Sequence, residues 1–116
     1  MDTIIDNRIN LEDFQKTEIK VGQILAVEKV PETDKLLKLK VDFAESEPRQ
    51  IISGIAKYFP DFSVLINKKC MFVTNLQKRE IKGLESNGML LAISTSDNKF
   101  SLLEPDQEIP NGSLVK

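Results

Sequence analysis

The sequence predicts an all-β fold: a small closed barrel of five strands, with a short helix between the third and fourth and short extensions at both ends. Three observations lead there. Leu37, Leu39, Val41 and Phe43 alternate with Lys38, Lys40 and Asp42, the period of a half-buried antiparallel strand. Residues 18–30 form a long segment rich in Ile and Val whose burial becomes two-sided around Gly22, the mark of a strand bent to serve two sheets. Further short apolar segments are separated by turn residues, with room for only one or two helical turns between the third and the fourth strand.

The elements follow in order. Asn10 is an N-cap for a short helix over 10–16, with Glu12 and Asp13 in the first turn where the helix dipole favours acids. In the first strand, Ile19 and Val21 precede Gly22, Leu25 and Val27 follow it, and Ile24 lies in the other phase, so the bend or bulge is expected at that glycine. Residues 31–34 turn into the second strand, and residues 44–48 turn into a hairpin partner over 49–53. Helical turns are expected within 54–59, stopped by Pro60, and again within 61–67. Residues 68–75 form a strand apolar on both faces at Cys70, Met71, Phe72 and Val73. Residues 76–88 read as a polar, mobile loop, 88–94 as the fifth strand, and 99–103 and 113–115 as short extended pieces. An SH3-like barrel or a small sandwich also satisfies the periodicity. The strand count together with the helix position favours an OB-fold barrel.

A chain of 116 residues is one domain long; an N-terminal arm over 1–10 and a single domain over 11–116 are expected. With 41% hydrophobic and 29% charged residues it suits a folded core. The absence of histidine excludes a His general base, a Ser-His-Asp triad and a His-ligated metal. The single cysteine excludes an internal disulfide and a multi-cysteine zinc site. No metal, no cofactor and no catalytic residue is expected. The longest apolar run, residues 89–93, falls far short of the ~20 residues of a membrane helix. Residues 1–15 carry Asp2, Asp6, Glu12 and Asp13 without the apolar stretch of a secretory signal. A cytoplasmic location without membrane contact is the expectation.

The net charge is −2, but it is unevenly spread. Residues 1–34 hold 8 acidic and 4 basic side chains, residues 35–82 hold 5 and 10, and residues 83–116 hold 5 and 2. Such asymmetry can give a nearly neutral molecule one positive face, though solvated lysines at strand edges account for it too.

Residues 75–89 concentrate the candidate chemistry, with Lys78, Arg79 and Lys82 beside Asn75, Ser86, Met89 and two glycines. Cations on a loop between the fourth and fifth strands can follow a phosphate backbone, while Asn and Ser can bond sugar or base edges. A long solvated loop explains the same composition about as well. Lys38 and Lys40 lie on the outer face of the second strand, the surface OB folds use for oligonucleotides. Lys35 precedes that strand and Arg49 opens the third. Each alone is an ordinary surface cation; their joint placement near the loop singles them out. With no Trp, one Tyr and six Phe mostly in apolar phases, little is left for base stacking, so phosphate contacts and shape are expected to carry recognition. Met89 suits core packing better than a platform. Cys70 is expected to be buried and inert. Burial on both sides of 70–73 exceeds what one barrel interior needs, so either the short helix or a second subunit covers it. A homodimer is expected, with the arm and the C-terminal tail contributing.

These segments together resemble the tRNA-binding domain family, found at the C-terminus of bacterial methionyl-tRNA synthetase and as free-standing dimeric tRNA-binding proteins. The likeness covers residues 12–116 and is carried by Asp13-Phe14, Ile19-Lys20-Val21-Gly22-Gln23-Ile24 and Asp34-Lys35-Leu36-Leu37-Lys38-Leu39. It continues in Ile52-Ser53-Gly54-Ile55, in Asn75-Leu76 with Lys78-Arg79, and in Gly83 with Ser86-Asn87-Gly88-Met89. The resemblance implies an OB fold, homodimerisation and structure-directed tRNA binding, with contacts at Lys35, Ser53, Asn75, Arg79, Lys82, Ser86 and Met89. It also implies a methionyl-tRNA synthetase catalytic chain as partner, since a chain without histidine lacks the His-containing signature of class I synthetases. A secretion-chaperone branch shares the barrel and binds peptides, but differs around Asp34-Lys35-Leu36 and Ser53-Gly54-Ile55, which places this chain with the tRNA branch. Met1, with no linker ahead of residue 12, leads to the expectation of a separate chain rather than part of a longer synthetase.

Overall fold

The computed structural model describes residues 6–116, so half of the expected 1–10 arm, residues 1–5, lies outside the described residues. Asn10 caps helix α1 (Leu11–Gln15) by accepting from the Asp13 backbone N–H at 2.8 Å. Strands β1 (Ile19–Lys29), β2 (Leu37–Asp42), β3 (Arg49–Ser53) and β4 (Lys69–Val73) follow, with 3-10 turns Ala56–Tyr58 and Phe62–Leu65 between β3 and β4. Then come β5 (Arg79–Ile81), β6 (Leu84–Ser86), β7 (Met89–Leu90), β8 (Ala92–Ser94) and β9 (Phe100–Leu102). The antiparallel sheet runs β3-β2-β1-β4-β7 and curls into a nearly closed OB-type barrel. Its seam lies between β3 and the stretch after β6. There the Asn87 N–H donates to the Gln50 carbonyl at 2.8 Å, and the Ile52 N–H donates to Ser86 Oγ at 3.0 Å.

Strict alternation makes β2 the spine of the core. Leu37, Leu39 and Val41 are wholly buried with Ile24, Ile51, Leu65, Cys70 and Phe72, and Phe43 meets Phe72 edge-on at 5.3 Å. Burial pushes the Cys70 thiol up to about 12, so it is an inert core group. The first half of β1 pairs with β4 and the second half with β2. The edge left open beside residues 19–21 is filled by the C-terminal segment: the Val21 N–H donates to Ser113 O, and the Val115 N–H to Ile19 O.

Three expectations are corrected. The β1 register shift falls between Ile24 and Ala26, so the extra residue is Leu25, which points to solvent. Gly22 stays regularly paired and serves another purpose: a Cβ there would lie 2.5 Å from Phe43 Cε1 and 2.6 Å from Val41 Cγ1. Glycine lets a core ring cross the strand. The 76–88 loop is ordered as a two-stranded hairpin, β5–β6. The expected fifth strand divides at Leu91: β7 stays on the barrel, while β8 pairs with β9 in a separate ribbon. Among the described residues no helix is long and apolar enough to cross a membrane, and no group of His, Cys, Asp or Glu is arranged to hold a metal.

Candidate nucleic-acid interface

The hairpin is a two-residue turn with both central residues at positive φ, Lys82 at 53° and Gly83 at 80°, the geometry that matches strand twist. Ile81 and Leu84 flank the turn, so Lys82 stands at the tip and Arg79 near the base, both exposed. Gln50 ties this hairpin to the barrel by donating from Nε2 to the Glu85 carbonyl at 2.9 Å. Gln50 also sits opposite Lys40 across β2–β3, and a shallow groove lined by Ala26, Glu28, Lys38, Leu39, Lys40 and Gln50 runs along that outer face. Hairpin and groove therefore meet at one residue.

The eleven candidate residues divide by what their side chains already do. Lys35, Lys40, Arg79 and Lys82 are exposed and form no ion pair among the described residues. Lys38, half-buried, pairs with the exposed Glu28 at 3.3 Å, and Lys78 pairs with Glu85 at 3.5 Å between two exposed side chains, contacts that a phosphate can compete with. Met89 is 37% exposed on β7 opposite Val73. Ser53 is half-buried at the end of β3 opposite Leu37.

Three are engaged in holding the fold. Arg49 is aligned with Val41 in the inner phase, and its guanidinium is spent at the barrel end. It donates to Glu45 Oε1 and Oε2 at 2.8 and 2.7 Å, donates to the Thr74 carbonyl at 2.7 Å, and lies 5.3 Å from the Phe43 ring centre. That bidentate contact lowers the Glu45 carboxyl and raises the Arg49 guanidinium from their ordinary values. The Asn75 side chain bridges β4 to the α1–β1 junction, accepting from the Glu18 N–H at 2.8 Å and donating to the Lys16 carbonyl at 2.6 Å. Ser86 is buried at the seam, where its hydroxyl accepts from Ile52 N–H and donates to the Gly88 carbonyl at 3.2 Å. Two further cations of the basic middle, Lys68 and Lys69, pair with Glu104 and Glu108 of the acidic C-terminal third.

A family model described as "Putative tRNA binding domain" matches residues 19–114. The chain belongs to this tRNA-binding domain family. Its curated relatives include the methionine–tRNA ligases of Lactococcus lactis, 45% identical over 93% of this chain, and of Caldanaerobacter subterraneus, 47% identical over 92%. In both cases the match spans 16% of the ligase. Among solved structures, a MetRS-related protein from Pyrococcus horikoshii superposes with a TM-score of 0.87 at 39% identity, covering 96% of this chain and 100% of that one. The chaperone CsaA from Picrophilus torridus superposes at 0.82 with 31% identity, covering 94% and 100%. In this chain Gln50, which no charge or motif marks, is the residue joining groove to hairpin. Its signal was its position: it alternates out of phase with Ile51, on the same side as Lys38 and Lys40.

Proposed function

We propose that the chain is a tRNA-binding module with no catalysis of its own, acting in the cytoplasm with, or as part of, a methionyl-tRNA synthetase. Folded tRNA lies along the β2–β3 groove with its phosphates on Lys35, Lys40, Arg79 and Lys82, while Lys38 and Lys78 exchange their carboxylates for phosphate. The observation that carries this reading is the hairpin: it lifts two exposed cations without ion-pair partners among the described residues beside a groove that holds a third. The four unpaired cations alone give a slope of log K against log salt of about −2.8 to −3.6. Measuring affinity for unfractionated tRNA across about 50–200 mM salt tests this; a flat response overturns it.

The exposed apolar side chains Leu11, Phe14, Leu114 and Val115, gathered along one cleft between α1 and the C-terminal segment, support a homodimer. A dimer would add avidity where one tRNA reaches both copies. The likeness to CsaA chaperones favours peptide binding at that cleft as a second reading. Unfolded polypeptide displacing tRNA, or binding where tRNA does not, would favour it.

A further inference from the structure

The barrel carries one aromatic surface that phosphate contacts leave unused. Tyr58, ending the 3-10 turn after β3, lies flat on Phe100 of β9, with ring centres 4.1 Å apart and planes 12° from parallel. Phe59 meets Phe100 edge-on at 5.7 Å, and both phenylalanines pack against the core, so the platform is backed by the barrel. Tyr58 itself remains 41% exposed. One of its faces is covered by Phe100; the exposed remainder offers a second π-surface for stacking.

The rings floor a depression of about 450 Å³, the size range of small-molecule sites. Its rim is polar: Lys68, Asn98, Ser101 and Glu104 surround the aromatic floor. Lys68 and Glu104 pair at 3.3 Å, setting a donor and an acceptor side by side, and Asn98 adds an amide from the β8–β9 turn. Two further lysines lie close by in the chain. Lys57 precedes Tyr58 in the same turn and is exposed, and the Lys35 carbonyl accepts from the Ala56 N–H at 2.9 Å, bringing the β1–β2 loop alongside. Neither lysine has an ion-pair partner among the described residues.

We infer that this depression is a nucleobase subsite: an unpaired base of the bound RNA stacks on Tyr58, the rim amide and the Lys68–Glu104 pair meet its polar edge, and Lys35 and Lys57 take the flanking phosphates. An aromatic floor, a rim of mixed donors and acceptors that includes Lys68, and two further lysines close by fit a single-stranded nucleotide better than an apolar peptide side chain, which has no use for the rim. The inference rests on the RNA-binding reading above and extends it from phosphates to bases.

Tyr58 is the chain's only tyrosine and there is no tryptophan, so intrinsic emission reports on this residue directly. The full chain is titrated with unfractionated tRNA, with a single-stranded oligoadenylate of about eight nucleotides, and with a blunt RNA duplex, emission being corrected for RNA absorbance. The tRNA and the oligoadenylate quench Tyr58, whereas the duplex binds without quenching. Tyr58→Leu weakens oligoadenylate binding by about 5- to 150-fold and leaves duplex binding unchanged, while Tyr58→Phe keeps the wild-type affinity. Unmoved emission during salt-dependent tRNA binding overturns the subsite and leaves the phosphate reading standing. Quenching by an apolar unstructured peptide but not by oligoadenylate also overturns it. Failure to bind any of the three RNAs overturns the function itself.

Discussion

Replacing Arg49 with methionine separates a fold-holding cation from an RNA-holding one. The substitution keeps much of the aliphatic volume but removes two charge-assisted bonds to Glu45, one bond to the Thr74 carbonyl and the cation over Phe43. Hydrogen bonds to charged groups contribute about 1.5–3 kcal/mol each when intact, yet Glu45 is a third exposed and recovers water. Thr74, by contrast, is buried, and a carbonyl left without its donor there costs about 1–3 kcal/mol. Adding about 0.5–1 kcal/mol for the ring contact gives a net loss near ~3 kcal/mol. At this chain length that lowers Tm by roughly 12 °C, taking about 4 °C per kcal/mol. Thermal melting by circular dichroism reads the loss, and tRNA binding below the melt keeps its wild-type salt slope. A variant as stable as wild type with a shallower slope would refute the reasoning, because Arg49 would then be contacting phosphate.

The carboxyls of Glu45 and Glu18 both lie below their ordinary value of 4.5, held mainly by hydrogen bonds from Arg49 and from Thr74 Oγ1. Their stabilisation is present above that value and is lost as pH falls through the lowered folded-state values, so the denaturation midpoint stays level from pH 7 to about 5 and declines below about 4.5; Glu45→Gln makes the decline shallower. Cys70, buried and pushed up to about 12, does not react with a thiol reagent at neutral pH until the barrel unfolds. Rapid labelling of the native chain would contradict that burial.

Much of the barrel was legible because β2 alternates without a break and Asn10 begins α1 with a cap, both local signals that tertiary packing had no reason to override. Arg49 was not, because Ile51 and Ile52 are both apolar and leave the phase of β3 undetermined. Only pairing with β2 turns Ile51 and Arg49 inward, and the seam at Ser86 buries Ile52 on the other side. The bulge at Leu25 was hidden by an apolar residue in a strand whose glycine drew attention to itself. The hairpin was missed because its strands are three residues long and largely polar, although Lys82-Gly83 between Ile81 and Leu84 carries the turn signal. Among the site residues, Asn75 and Ser86 have the polar chemistry of RNA contacts, but the fold engages both. Bonding within the chain, which composition does not reveal, separates such residues from Lys40, Arg79 and Lys82.

The salt dependence of tRNA binding by an Arg79→Gln/Lys82→Gln variant bears most directly on whether the hairpin holds RNA. Both side chains are exposed and unpaired among the described residues, so the variant folds as wild type does. Losing two phosphate contacts makes the slope of log K against log salt shallower by about 1.4 to 1.8, with every tRNA weakened alike. An unchanged slope and affinity in a correctly folded variant would place the RNA on another surface of the barrel.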